Sequence, residues 1–207
     1  MIPRDANNLR RTTLVDVLAL TCCLVVARTV LGTTLGYALF VPVCVALAGC
    51  VWAGRGWTLV ACAVIGCGLF LNAATPSQLA QWIVLCVSVA MLTRAIGRFS
   101  EIASLLATMA WMTFPVWVSP LLQRGMSQSV VSMLLDVHPL IATNGIFLNL
   151  GDWTHAPIAY ARLTTLGQDT PYAPPTTAWP AVVMHLLLAI LLTVVFRYVF
   201  RHNAKTP

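Results

Sequence analysis

Asp136, His138, Asp152 and His155 form two close pairs of carboxylate and imidazole, the side chains with which a protein holds zinc or manganese. Two such pairs separated by a turn could converge on one ion. The spacing argues for a plainer role. Residues two apart do not share a helix face, so Asp136 and His138 cannot act together from one helix, and no His-Glu-x-x-His pattern is present. Hydrogen bonds that tie an irregular segment together are expected instead, with Asp152 and Asp169 as turn or cap residues. Neither a metal nor another cofactor is expected. Ser127, Ser129 and Ser132 lack the flanking pattern of a nucleophile elbow. The chain has no glycine-rich phosphate loop, so any ATP hydrolysis must come from a partner.

Two further ionisable residues lie inside apolar runs, where a charge is costly and needs a partner or a water-lined cavity. Arg28 falls near one end of the first run, and His185 about two helical turns into the last. Snorkelling to headgroups suits Arg28, and a neutral hydrogen bond between helices suits His185. The alternative is that both form the floor of a site. The seven cysteines, by contrast, are Cys22, Cys23, Cys44, Cys50, Cys62, Cys67 and Cys86, all within the first four apolar runs. Their spacing makes no compact ligand set, and they read as small residues that let helices pack.

The elements that position these groups follow from composition. Of the 207 residues, 59% are hydrophobic and 9% charged, whereas a soluble domain carries about 25% charged residues. Mean hydropathy is +0.84. Most of the chain must therefore meet lipid or other apolar helices, and a second, soluble domain is excluded. Six apolar runs approach the roughly 20 residues that cross a bilayer: Leu14 to Leu31, Gly36 to Ala53, Trp57 to Ala73, Leu79 to Ile96, Ile102 to Leu122, and Ala178 to Phe200. Each is read as a helix, because a helix satisfies its own backbone where water is absent. The first is expected to remain as a span rather than be cleaved as a signal peptide, since it is long and the small-residue pattern near Ala27 is poor.

Basic residues then orient the spans, because cytoplasmic loops hold the excess of Lys and Arg. With six spans, Arg4, Arg10, Arg11, Arg55, Arg94, Arg98, Arg197, Arg201 and Lys205 share one side, and only Arg28, Arg124 and Arg162 fall toward the other. Both termini are expected in the cytoplasm. The net charge of +6 is accounted for by topology and anionic headgroups, and no nucleic-acid partner is expected.

Arg124 to Thr177 becomes extracytoplasmic on this reading, and it carries Asp136, Asp152 and Asp169 out of six acidic residues. Ser127 can cap a short helix through about Val137, His138 and Pro139 interrupt it, and a second piece runs from Leu140 to Leu150 around Asn144 and Gly145. Neither is long enough to span, so together they are expected to form a re-entrant helical hairpin. Residues Gly151 to Pro175 are rich in Gly, Pro and aromatic residues. Trp153, Tyr160, Tyr172 and Trp179 suit the headgroup layer. The expected fold is an all-α, polytopic membrane bundle of about six transmembrane helices, with the hairpin between the fifth and sixth. Residues 1–13 and 201–207 are cytoplasmic tails, 14–123 hold five spans, 124–177 the outer segment and 178–200 the sixth span.

Six spans with both ends cytoplasmic, and short re-entrant helices between the fifth and sixth, resemble the permease subunits of ABC-2 type exporters. The resemblance is one of topology over nearly the whole chain. It implies a transport subunit without its own ATPase, paired with a separate ATPase or another membrane partner, possible as a homodimer, with Ser127 through Leu150 helping to close an outer gate. Two features depart from that family: only about thirteen residues precede the first span, and Gly54, Arg55 and Gly56 form the whole cytoplasmic connection between the second and third spans. The alternatives are a membrane scaffold or assembly factor that binds a partner through the outer segment, and a membrane-embedded hydrolase using the Asp and His set. Binding or gating candidates are Arg28, Asp136, His138, Asn144, Asp152, Trp153, His155, Asp169 and His185.

Overall fold

The computed structural model describes residues 34–51, 68, 71, 74–114, 127–147 and 175–203. The elements among them are all α-helices: α1 (Thr34–Val51), α2 (Pro76–Gly97), α3 (Glu101–Met112), α4 (Gln128–Asp136), α5 (Pro139–Ile146) and α6 (Trp179–Asn203). By length and composition two can cross a membrane, Pro76–Gly97 and Trp179–Val199. The first and third expected spans lie outside the described residues, apart from isolated positions in the third.

Local chemistry sets the helix starts. Thr75 caps α2 by accepting from the Gln78 backbone N–H, Gln78 Oε1 accepts from the Thr75 N–H, and Pro76 opens the helix where no donor is needed. Ser100 caps α3 through the Ala103 N–H, with Glu101 at the positive end of the helix dipole. Ser127 caps α4 through the Val130 N–H, as its place before the apolar run implies.

One boundary departs from the sequence reading. The expected fifth span runs to Leu122; α3 ends at Met112 with Thr113 as its cap, Phe114 is helical again, and the rest of that span lies outside the described residues. One cause acts there: the Thr113 hydroxyl donates to the Met109 carbonyl four residues back, a local bond that competes with the helix's backbone ladder.

Helix α2 is central, packed against α1, α3 and α6. It runs parallel to α6. Gln81 Oε1 accepts the Ala178 N–H at their starts (3.0 Å), and Phe99 meets Phe196 edge-on (5.1 Å between ring centres) at their far ends. Trp82, Leu85, Cys86 and Val89 of α2 form a core with Val41 and Val45 of α1, Ile146 and Phe147 at the end of α5, and Ala181 and Val182 of α6. The opposite side of α6 is aliphatic and exposed, with Leu187, Ile190, Leu191 and Val194 more than half accessible.

Where α1 meets α2, backbone chemistry and packing interlock. Pro42 lies inside α1 and has no N–H to give the Ala38 carbonyl four residues back. The buried indole N–H of Trp82 donates to that carbonyl instead, at 3.0 Å. A second polar knot joins α1, α2 and α3. Ser104 Oγ donates to the Thr93 carbonyl (2.8 Å), and the Ser104 and Thr108 hydroxyls each lie 3.1 Å from Cys50 Sγ. Cys50 therefore does more than fill space.

Candidate functional site

Of the nine binding or gating candidates, Arg28, Asp152, Trp153, His155 and Asp169 lie outside the described residues. The structure brings two of the other four, His138 and His185, to opposite sides of one aromatic residue, Trp111. His138 stands at the N-cap of α5, after the break from α4, and Pro139 follows it at the first helical position. Its side chain makes no cap bond to α5. It turns to α3, where His138 Nε2 lies 2.8 Å from the Trp111 carbonyl. On the other side, Trp111 Nε1–H donates to His185 Nε2 (3.3 Å), and His185 Nδ1 lies 2.6 Å from the Ala181 carbonyl one turn back in α6.

These partners fix the tautomers. A carbonyl only accepts, so His138 carries its proton on Nε2 and His185 on Nδ1. His185 then accepts at Nε2 from the indole and is satisfied at both nitrogens. His138 is not, because its Nδ1 lone pair is buried without a partner. Both imidazoles are fully buried. Phe114 stacks on the His138 ring at 6.3 Å, and Trp111 sits 5.0 Å from it. Burial pushes the His138 imidazole down to about 4; the bond to the Trp111 carbonyl opposes this shift and His185 adds to it.

The depressed value makes His138 a source of pH-dependent stability. Above pH 6.5 the ring is neutral whether the chain is folded or unfolded. Between 6.5 and 4 the unfolded chain takes up a proton that the folded one refuses, so stability falls as pH falls, by up to about 3 kcal/mol. Melting in mild detergent at pH 7.5, 6, 5 and 4 should show this decline, and His138→Gln should be less steep across the same range.

Asn144 is buried near the end of α5, and its Oδ1 also lacks a partner. Asp136 closes α4 and is half-buried. Among the described residues, no three His, Cys, Asp or Glu side chains converge where an ion would sit.

Three site residues carried no signal in the sequence reading. Trp111 looked like any apolar residue of a span. Gln78 and Gln81 share one face of α2 at a spacing of three and tie down two helix ends. Gln78 Nε2 donates to the Ile146 carbonyl (2.7 Å), and Gln81 accepts from Ala178. Both partners are backbone groups that a helix terminus leaves unsatisfied. Glutamines at the start of an apolar run were the available clue.

Beneath the Trp111 and His185 pair lies a cavity of about 540 Å³, walled by α2, α3, α4 and α6. Val89, Met112 and His185 line its buried part; Ala107, Met133 and Leu191 stand at its exposed rim. The volume falls among those of small-molecule sites, about 300–1,000 Å³. No family model, no curated protein and no solved structure matches the chain.

Proposed function

We propose that the chain is a permease-like subunit of a transport complex in the cell membrane, working with a separate ATPase and with both termini in the cytoplasm. The observation that carries this reading is the placement of the short pair α4 and α5. Neither is long enough to cross a bilayer, at 9 and 8 residues. Together they join at His138, which packs on Trp111 beside the apolar cavity. A short helical pair over a cavity between longer helices is the arrangement expected of a re-entrant gate. The parallel course of α2 and α6, with α3 running back in the chain after α2, agrees with their being the fourth and sixth of six spans. The buried lone pair of His138 gives the pair a hydrogen-bonding position that opening would expose.

Copurification of the full chain in mild detergent, followed by identification of its partners, tests the reading. An ATPase retained in a fixed ratio is the expected result. A monomer that holds no partner would overturn it. Capture of an extracytoplasmic protein that is lost when residues 151–175 are replaced would support the scaffold reading instead.

A further inference from the structure

The cavity between α3 and α6 has a property that decides what can fill it. Four of its lining residues carry polar side-chain atoms, and each of these is already engaged with the protein. Thr93 Oγ1 donates to the Ala90 carbonyl, and Thr108 Oγ1 pairs with Cys50 Sγ. The Trp111 indole gives its proton to His185, whose other nitrogen meets the Ala181 carbonyl. The cavity surface is formed by apolar atoms alone, so a polar ligand entering it would leave its hydration behind without a partner within reach, which is costly. A hydrocarbon loses nothing by entering, and apolar cavities that stay dry take up hydrocarbon.

The shape narrows the choice further. Along α6 the walls run from Met184 to Leu192, a rise of about 12 Å. Trp111 and His185 bound one end, and Phe99 against Phe196 lies beyond the other. The depth is buried at Val89, Thr93, Thr108 and Met112, whereas Ala107, Leu188 and Leu191 on the rim are exposed. The rim is continuous with the aliphatic face of α6, where Leu187, Ile190 and Val194 stand free of the protein. On the membrane reading of α6, that face is covered by lipid chains. Three methionines in the wall, Met112, Met133 and Met184, supply unbranched and polarizable side chains that adapt to a flexible occupant.

We propose that this cavity is a lateral lipid site, which takes one acyl chain of a bilayer glycerophospholipid through the gap between α3 and α6. The inference rests on α6 being a membrane span, not on the partner ATPase.

The test uses the full chain in nanodiscs of phosphatidylcholine doped with phosphatidylcholine bearing a diazirine at the tip of one acyl chain. After illumination, labelled residues are mapped by peptide sequencing. Labels are expected at Thr93, Thr108 and Met112 in addition to the exposed face of α6. Ala107→Trp and Leu188→Trp, on opposite lips, should each lower labelling of these deep positions by about tenfold. Ala103→Trp, exposed on α3 outside the cavity, should leave it unchanged. Deep positions that never label, or that label in both rim variants as strongly as in the unsubstituted chain, overturn the proposal. Loss of deep labelling as the protein-to-lipid ratio rises would show a second copy's side chain in the cavity, and also overturns it. Alkaline carbonate extraction separates the two claims. A chain released by carbonate fails the membrane reading, whereas a retained chain with unlabelled deep positions fails the lipid site alone.

Discussion

Alanine at Gly145 is expected to destabilise the folded chain by about 2 kcal/mol, although alanine is the better helix former. Gly145 is the penultimate residue of α5, and a Cβ built there would overlap the Pro175 carbonyl oxygen, with the Pro175 carbonyl carbon at 2.9 Å. The obstacle is backbone, so no rotamer change relieves it. Either α5 or the lead-in to α6 must move. Removing a helical glycine returns up to about 1 kcal/mol of propensity, while overpacking that forces backbone shifts costs about 1–3 kcal/mol, occasionally more. The second effect wins. A shift of α5 also strains the Gln78 bond to the Ile146 carbonyl and the seat of His138 on Trp111. Gly49 provides the contrast. A Cβ there meets first the Thr93 hydroxyl, a side-chain group that can turn away, with the Ala90 carbonyl at 3.1 Å. Gly49→Ala should therefore cost less than Gly145→Ala, and Thr93→Ala should relieve part of that cost while leaving Gly145→Ala unrelieved. Thermal unfolding in detergent of the three single variants and two doubles checks this ranking. Equal costs at the two glycines would refute it.

The apolar run alone puts the start of α2 at Leu79, whereas Thr75, Pro76 and Gln78 open the helix at Pro76. The start of α4 was legible because caps are local: Ser127 before Val130 specifies it within four residues. The break at His138 and Pro139 was legible for the same reason. The end of α3 was not. Hydropathy continues past Met112, so a reading by apolar length passes over Thr113, where hydroxyl competition interrupts the helix. The site was half legible. His138 and His185 stood out because imidazoles are expensive in apolar surroundings, but nothing local says that they share a neighbour. Trp111 reaches one across 27 positions and the other across 74, and only the packing of α3 between the start of α5 and α6 creates that link. The same holds for Cys50, whose polar contacts with Ser104 and Thr108 depend on α1 and α3 meeting at α2.

Replacing Trp82 should give the largest single loss of stability among the described residues, and the cost should depend on a proline in another helix. Trp82 is fully buried in the core and packs edge-on against Phe147 at 6.5 Å. Truncation of a buried tryptophan to alanine costs about 3–5 kcal/mol, part transfer and part cavity. In a lipid setting the transfer part shrinks, because the unfolded helices remain in hydrocarbon, so Trp82→Ala is expected near the lower end, about 3 kcal/mol. Trp82→Phe isolates the polar component. It keeps a ring in the core but leaves the Ala38 carbonyl with no donor, since Pro42 cannot supply one. An acceptor orphaned in this way costs about 1–3 kcal/mol. Pro42→Ala restores the N–H that α1 lacks. A carbonyl oxygen accepts two bonds, so the wild-type indole contact survives alongside the new one, and Pro42→Ala alone should not destabilise. On that background Trp82→Phe no longer orphans the carbonyl, and its cost should fall by about 1 kcal/mol in a double-mutant cycle. A cycle that closes additively would mean that the indole N–H does not stand in for the proline's missing donor, and that Trp82 acts through its volume alone.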